Sequence, residues 1–329
     1  MAAEKIYGER KRIERENYIR HSFPYIYSIL LGRYKCTRSC RMCPMHNEVP
    51  ANPEIMSDEV MTRALAPIGD RKLNLEFSAF GETFTHPRAD DYMFLSRRMA
   101  PNAEIVWVTN GSVLNAERCE KIVASGIDVL QFSLDTGSPE TYKWLTGSNA
   151  YDATVRNLET LLETRARRGG THLRIQTHII GIKELEHEFQ PFLDRWTGVV
   201  DRVQVRPYGN WAGRVDPNVT PLEEETVPAL RYPCAWLWYC TKIVPNGDVV
   251  KCHQHITGND PVEHRMGNIL EQDFEDIWHG DALRIAREKH LTDRAEDLPY
   301  CKDCQVWSLF WDVWERREAT PDGQPARWE

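Results

Sequence analysis

Tyr25-Ile-Tyr-Ser-Ile-Leu-Leu31, followed by Cys36-Thr-Arg-Ser-Cys40-Arg-Met-Cys43, is the stretch that decides the fold. The first part is an apolar run of β-type residues, far too short to cross a bilayer, and reads as a buried strand. The second sets three cysteines at CxxxCxxC spacing on the loop directly after it. In parallel sheets, sites are built at such strand C-terminal ends. A structural zinc ion normally takes four ligands, whereas a cubane held by three thiolates keeps one iron open to a substrate or cofactor. Two other readings of these residues stand beside it: a zinc site completed by a distant ligand such as His46, or three unrelated core cysteines.

Outward from this stretch, β-type runs alternate with helical patterns as far as Tyr208. The expected strands are Tyr25–Leu31, Leu73–Phe77, Ile105–Thr109, Val129–Leu134, Arg174–Ile180 and Arg202–Val205. Helices fit between them, among them Ser57–Ala66, with Ser57 as N-cap and acidic residues in its first turn, and Asp152–Arg165. Repeated βα units predict an α/β fold, a partial or complete six-stranded barrel over residues 25–215. The Gly- and Pro-containing segment Gly209–Pro221 ends the alternation, so residues 216–329 form a smaller C-terminal domain, with a hairpin turning at Asn246-Gly247. Residues 1–24 form a charged extension.

The 329 residues are enough to bury a sizeable core, and 41% hydrophobic with 27% charged residues is ordinary globular composition. The start of the chain has no apolar signal segment, so a cytoplasmic location without a membrane anchor is expected. A net charge of -8 with scattered Lys and Arg offers no field for nucleic acid. Nine cysteines in a reducing compartment point to metal binding rather than disulfides.

Four of them, Cys234, Cys252, Cys301 and Cys304, read C-x17-C-x48-CxxC, with Gly267-Asn268-Ile269 and Trp278 between the second and third. Taken alone they suit a four-cysteine zinc site as well as a cluster. Trp307, Trp311 and Trp314 follow at helical spacing and read as core packing. Cys119 sits in a helical pattern as a small hydrophobe. Cys240 lies between two members of the second set, and three roles stay open for it: spare ligand, inert core thiol, or hydrogen-atom donor.

The CxxxCxxC loop after the first strand resembles the radical S-adenosylmethionine (SAM) superfamily, over about Tyr25 to Cys304. The resemblance implies a partial (β/α)6 barrel and a 4Fe-4S cluster on Cys36, Cys40 and Cys43 whose open iron chelates SAM. One injected electron then yields a 5'-deoxyadenosyl radical, chemistry that belongs to the cofactor. By the same resemblance Gly81 and Glu82 correspond to the glycine-glutamate motif that holds the SAM amino group, although Phe80 precedes Gly81 and no proline follows Glu82. Thr109-Asn110 and Ser133-Leu-Asp135 resemble the segments lining the SAM ribose and carboxylate, and each is also ordinary turn chemistry. Met42 stands where a residue packs on the adenine. The second cysteine set resembles the twitch domain, a short form of the SPASM extension, implying an auxiliary 4Fe-4S cluster ligated by Cys234, Cys252, Cys301 and Cys304.

Strand alternation puts Arg174, Gln176 and His178 on one face of the fifth strand and Gln204 and Arg206 on one face of the sixth. These face either the barrel interior, where they await a polar molecule, or the solvent and helix side. His178 is the first choice for a general base and Arg206 for gripping an anionic or hydroxylated group. The resemblance implies abstraction of hydrogen from an aminocyclitol, amino sugar or nucleoside sugar, with oxidation of a carbinol to a ketone and a flavodoxin or ferredoxin as electron donor. Its rivals are epimerisation with Cys240 as donor, decarboxylation of a sugar acid held by Arg206 or Arg174, peptide maturation, and a non-catalytic zinc-binding module.

Overall fold

A computed structural model describes residues 22–46, 51–169, 172–209, 211, 215–222, 230–252, 264–302, 304, 307, 313–314, 316–317 and 326–328. The charged extension up to residue 21, Trp311 and the side chain of His46 lie outside the described residues. All six expected strands form: β1 (Ile26–Arg33), then, after a short β2 (Glu54–Ile55) antiparallel to it, β3 (Asn74–Phe80), β4 (Glu104–Thr109), β5 (Val129–Asp135), β6 (Arg174–Gly181) and β7 (Arg202–Pro207). They pair in parallel in the order β1-β3-β4-β5-β6-β7, each crossover stepping one strand in the same direction. That progression winds a barrel rather than a doubly wound sheet.

Alternation sorts each strand between two environments. Tyr27, Ile29, Leu31, Leu75, Phe77, Ile105, Trp107, Leu130 and Phe132 belong to the main core. Their neighbours of opposite parity, Glu76, Ser78, Gln131, Ser133 and Gln176, are only half-buried although they lie on inner strands, as is Gln204 on the edge strand β7. A face of polar residues that solvent still touches inside a sheet layer marks the lumen of the partial barrel. The helices close the outer layer. Ser57 Oγ accepts from the Val60 amide at 3.3 Å and starts the helix Asp58–Leu65, with Asp58 and Glu59 in its first turn. Cys119 is fully buried in the helix Ala116–Ala124, as a small core residue. No described helix is long and apolar enough to cross a membrane.

The expected hairpin is present, but it does not stand apart from the barrel. β8 (Cys240–Ile243) turns through Asn246-Gly247 into β9 (Asp248–Val250), and β10 (Arg265–Asn268) pairs with β9. β8 itself pairs in parallel with β1, Ile26 opposite Cys240 and Ile29 opposite Ile243, so the barrel sheet continues into the C-terminal region. The physical reason is the edge: β1 pairs β3 on one side, and an open row of amides along its other side would be a template for aggregation. Gly247 holds φ +87°, and a Cβ there would meet Asn268 Oδ1 at 2.8 Å. Asn268 in turn binds the Asn246 carbonyl at 3.0 Å, Asp248 at 2.9 Å and the Leu270 amide at 2.8 Å, tying the turn to β10.

Because β8 covers the β1 edge, a chain ended after residue 215 should aggregate or lose cooperative unfolding, as judged by size exclusion and thermal denaturation. A soluble, cooperatively unfolding fragment would show that the barrel does not need the C-terminal strands.

Candidate active site and auxiliary cluster site

The cysteine loop leaves β1 at Arg33 and is held from several directions. Its Ser39 and Arg41 amides donate to the Thr146 and Leu145 carbonyls, both at 2.9 Å, and the Arg41 side chain reaches the Trp144 carbonyl at 2.9 Å and Asp216 at 2.6 Å. The carbonyls belong to the end of the helix Pro139–Thr146, whose N-cap is Ser138 and whose C-cap Gly147 is left-handed. Cys36, Cys40 and Cys43 are all half-buried on this loop. Burial pushes the Cys43 thiol up to about 12 and raises Cys36 and Cys40 as well, with Cys36 adding to the shift of both others and Cys43 to that of Cys40. Neutral thiols in such a setting ionise when a metal centre binds them.

Behind the loop stands Arg38, buried between Cys36 and Cys40. Its guanidinium donates to the Ser133 carbonyl at 2.9 Å, to Asp135 Oδ2 at 3.2 Å and to the Asn110 carbonyl, and it lies over the Tyr142 ring at 4.8 Å. Asp135, at the end of β5, adopts a left-handed φ of 72°. Its other oxygen, Oδ1, is 3.1 Å from His178 Nε2 on β6. Burial alone would raise the Asp135 carboxyl, but the His178 hydrogen bond and the charges of Arg38 and Arg206 outweigh it and hold it low. Burial lowers His178, against the pull of Asp135. An ionised Asp135 therefore accepts from a neutral His178, which leaves Nδ1 as the basic nitrogen.

Gly81, Glu82, Thr109 and Asn110 come together beside the loop. Gly81 has φ +145°, and a Cβ there would lie 2.4 Å from the Tyr34 ring, so glycine is required whatever binds nearby. Glu82 Oε1 accepts from Thr109 Oγ1 at 2.6 Å and the Phe84 amide at 3.2 Å, and Oε2 from the Asn110 amide at 2.7 Å. Burial raises Glu82, opposed by these three hydrogen bonds. Of the roughly four acceptor positions of a carboxylate, about one on Oε2 is left for an incoming ammonium. The Asn110 side chain bonds Thr37 Oγ1 at 3.0 Å and approaches Cys36 Sγ at 3.5 Å. Ser133 gives its carbonyl to Arg38, and Met42 packs against the main core.

Cys234, Cys252, Cys301 and Cys304 wall one cavity together with Arg231, Lys251 and His290. Burial pushes Cys234 well up, the other three thiols pushing the same way, and Cys301 up to about 12 with Cys252 and Cys304 among the causes. No three His, Cys, Asp or Glu side chains among the described residues converge closely enough to grip one ion. Four thiols around a cavity rather than around a point suit a multi-iron cluster better than a tetrahedral zinc with its Zn–S bonds of about 2.3 Å.

Residues 33–195 match the radical SAM superfamily, and residues 234–305 match SPASM, an iron-sulfur cluster-binding domain. The chain belongs to the radical SAM superfamily and carries a C-terminal SPASM domain. Membership implies SAM, the cluster that activates it and an auxiliary iron–sulfur cluster, and the two cysteine sets provide donors of the right chemistry. The chain is 27% identical over 151 residues to a probable GTP 3',8-cyclase of Archaeoglobus fulgidus, covering 45% of this chain and 47% of that protein, so the match spans about half of each. In fold it is similar to BtrN in complex with AdoMet and 2-DOIA (TM-score 0.55, 15% identity, 86% of this chain and 92% of that one). It is also similar to Streptococcus suis SuiB bound to precursor peptide SuiA (0.63, 16%, 94% and 76%) and to anSMEcpe with bound AdoMet (0.59, 12%, 87% and 88%).

Two residues singled out from the sequence are not brought to the radical SAM loop. Arg174 opens β6 and pairs with Glu104, the first residue of β4, at the opposite end of the barrel. Cys240 sits beside Ile26 at the start of β1, about 23 Å of strand from Arg33. It is buried in a cluster with Ala235, Tyr239, Trp314 and Trp328, and burial raises its thiol well above the ordinary range. His178 and Arg206 do face the lumen, His178 opposite Gln204 and Arg206, opposite Ile180, exposed two pairs further on. Sequence reasoning missed Arg38, Glu76 and Lys242. Burial raises Glu76, and the charges of Arg206 and Lys242 pull it back, so all three share the lumen. Lys242 Nζ lies 5.4 Å over the Phe80 ring. Glu76 was visible as a charge at an inward position of an alternating strand; nothing local marked Lys242.

Removing Arg38 strands a buried carboxylate and frees the radical SAM loop. Arg38→Ala should cost about 3–5 kcal/mol, seen as a lower denaturant midpoint. An unchanged midpoint would show that the loop is held without it.

Proposed function

We propose that the chain is a radical SAM dehydrogenase of a polyhydroxylated small molecule, such as an aminocyclitol, amino sugar or nucleoside sugar, oxidising a carbinol to a ketone. Two 4Fe-4S clusters belong to this reading, a SAM-binding one on Cys36, Cys40 and Cys43 and an auxiliary one on Cys234, Cys252, Cys301 and Cys304. When bound, SAM with its cluster supplies hydrogen-atom abstraction, and the auxiliary cluster supplies a one-electron acceptor. The observation that carries the reading is the Asp135–His178 pair at a polar, partly solvated lumen, directly linked through Arg38 to the cysteine loop.

The chain's own part is binding and proton transfer. Gln131, Gln176, Gln204 and Ser78 offer hydrogen bonds to hydroxyl groups, and Arg206 and Glu76 offer charged partners, which suits a small polyol with several heteroatoms. His178 Nδ1 takes the hydroxyl proton while Asp135 keeps the ring oriented and stabilises the imidazolium that forms. Loss of one hydrogen atom, one proton and one electron balances carbinol to ketone. Cys240 in its aromatic cluster does not support epimerisation, and Arg174 in its ion pair leaves a carboxylate grip to Arg206. The likeness to a peptide-bound SuiB supports peptide maturation as the second reading. A flavodoxin- or ferredoxin-type protein would supply the reducing electron.

Incubation with SAM, reductant and candidate polyols should yield a product lacking two hydrogens by mass, whereas a modified peptide would favour the second reading. His178→Gln should lower product formation by about 10²–10³-fold while SAM cleavage continues uncoupled. Because burial lowers His178, the base is unprotonated at neutral pH, and the rate should hold level as pH falls through about 6.5 before declining. Full product formation by the variant would remove His178 from the proton step.

A further inference from the structure

The wall of the auxiliary cavity holds two buried N–H groups with nothing among the described residues to donate to. His290 stands in the last turn of the helix Asp281–Leu291, is 2% exposed, and lines the same cavity as the four cysteines. Its Nδ1 accepts the backbone N–H of Cys234 at 3.2 Å. A ring nitrogen that accepts carries no proton, so the imidazole proton is on Nε2. That nitrogen is buried and has no hydrogen-bond partner. Arg231 repeats the pattern from another part of the wall: its Nη groups bond the Lys302 carbonyl at 3.0 Å and the Cys301 carbonyl, and its Nε is buried without a partner. Native proteins rarely bury such donors unsatisfied, because each costs about 1–3 kcal/mol, and an acceptor missing from the polypeptide is most simply the group the cavity is built to hold.

We propose that the Nε2–H of His290 donates a hydrogen bond to a sulfur of the auxiliary iron–sulfur cluster and so raises that cluster's affinity for an electron. This rests on the reading that Cys234, Cys252, Cys301 and Cys304 hold a cluster. Sulfur in a thiolate-ligated cluster becomes more electron-rich on reduction, so a fixed donor stabilises the reduced form more than the oxidised one. His290 is a donor rather than an iron ligand, because ligation through Nε2 would need a ring with no proton on either nitrogen, or loss of the bond from the Cys234 amide. Arg231 adds a second donor and a positive charge on the same side. A cluster that receives the electron released in an oxidation gains driving force from both.

The test uses the full-length chain carrying Cys36→Ala, Cys40→Ala and Cys43→Ala, so that only the auxiliary cluster contributes to the spectrum, reconstituted and titrated by EPR at controlled potential. Adding His290→Leu should shift the oxidised-to-reduced ratio at fixed potential about tenfold toward oxidised, or about 59 mV for a one-electron couple, and His290→Gln, which keeps an N–H, should shift it less. Equal midpoints in all three proteins overturn the proposal. With histidine 15N-labelled and the cluster assembled in D2O or H2O, ENDOR should show an exchangeable proton that the His290→Leu variant lacks, beside any from Arg231, and a weakly coupled imidazole nitrogen. A strong, ligand-type nitrogen coupling, or none, overturns it even if the leucine variant fails to keep its cluster. Absence of iron from the triple-cysteine background would instead remove the cluster itself, and the hydrogen bond with it.

Discussion

A guanidinium that cannot leave its place organises the active end of this barrel. Arg38 lies inside the cysteine loop, yet its partners are the Asn110 carbonyl after β4 and the Ser133 carbonyl and Asp135 carboxylate of β5. A buried charge must be paired and hydrogen-bonded, so loop and strand ends are fixed relative to one another as a condition of burying it. Asp135 carries the constraint one step further by accepting from His178 on β6. The loop that presents Cys36, Cys40 and Cys43 and the wall that would meet a substrate are thereby two ends of one polar chain. Glu82 makes a similar bridge from β3 to β4 through Thr109 and the Asn110 amide.

The auxiliary site is tied to the same framework by the sheet. Cys234 precedes the short helix Trp236–Tyr239 that leads into β8, and Cys252 follows β9 by two residues, so half of that donor set hangs from the hairpin added to β1. Lys242, in the middle of β8, then faces the lumen alongside Glu76. One-electron transfer depends on a held separation between donor and acceptor, and a shared parallel sheet holds it better than a linker between two independent bodies.

Much of this was legible because parallel βα units leave strong local marks. Six apolar runs, helix caps such as Ser57, and the CxxxCxxC loop at a strand end are read from neighbouring residues alone, and all six strands formed in order. Less legible were the features made by distant partners. Nothing beside Arg38 in the sequence marks its role, since Asp135 lies 97 residues away. Cys240 drew attention through its sequence neighbours, but register with Ile26 sets it at the far end of β1. Arg174 had the right parity on β6 and the wrong height, because parity tells which face a side chain takes and not how far along the strand the site lies. Glu76 was visible in principle, as the one carboxylate on the polar side of an alternating strand.

Two separately ligated clusters on one chain, only one of them meeting SAM, would leave a distinct analytical and spectroscopic signature. Iron and sulfide analysis of anaerobically reconstituted protein, combined with EPR of the reduced state with and without SAM, tests it most directly. About eight irons and eight sulfides per chain are expected, falling to about four of each when Cys36, Cys40 and Cys43 are replaced by alanine, with the SAM-dependent change in the spectrum lost in that variant alone and kept when Cys301 and Cys304 are replaced. Zinc at either site, or a SAM-sensitive signal that survives removal of the loop cysteines, would contradict it.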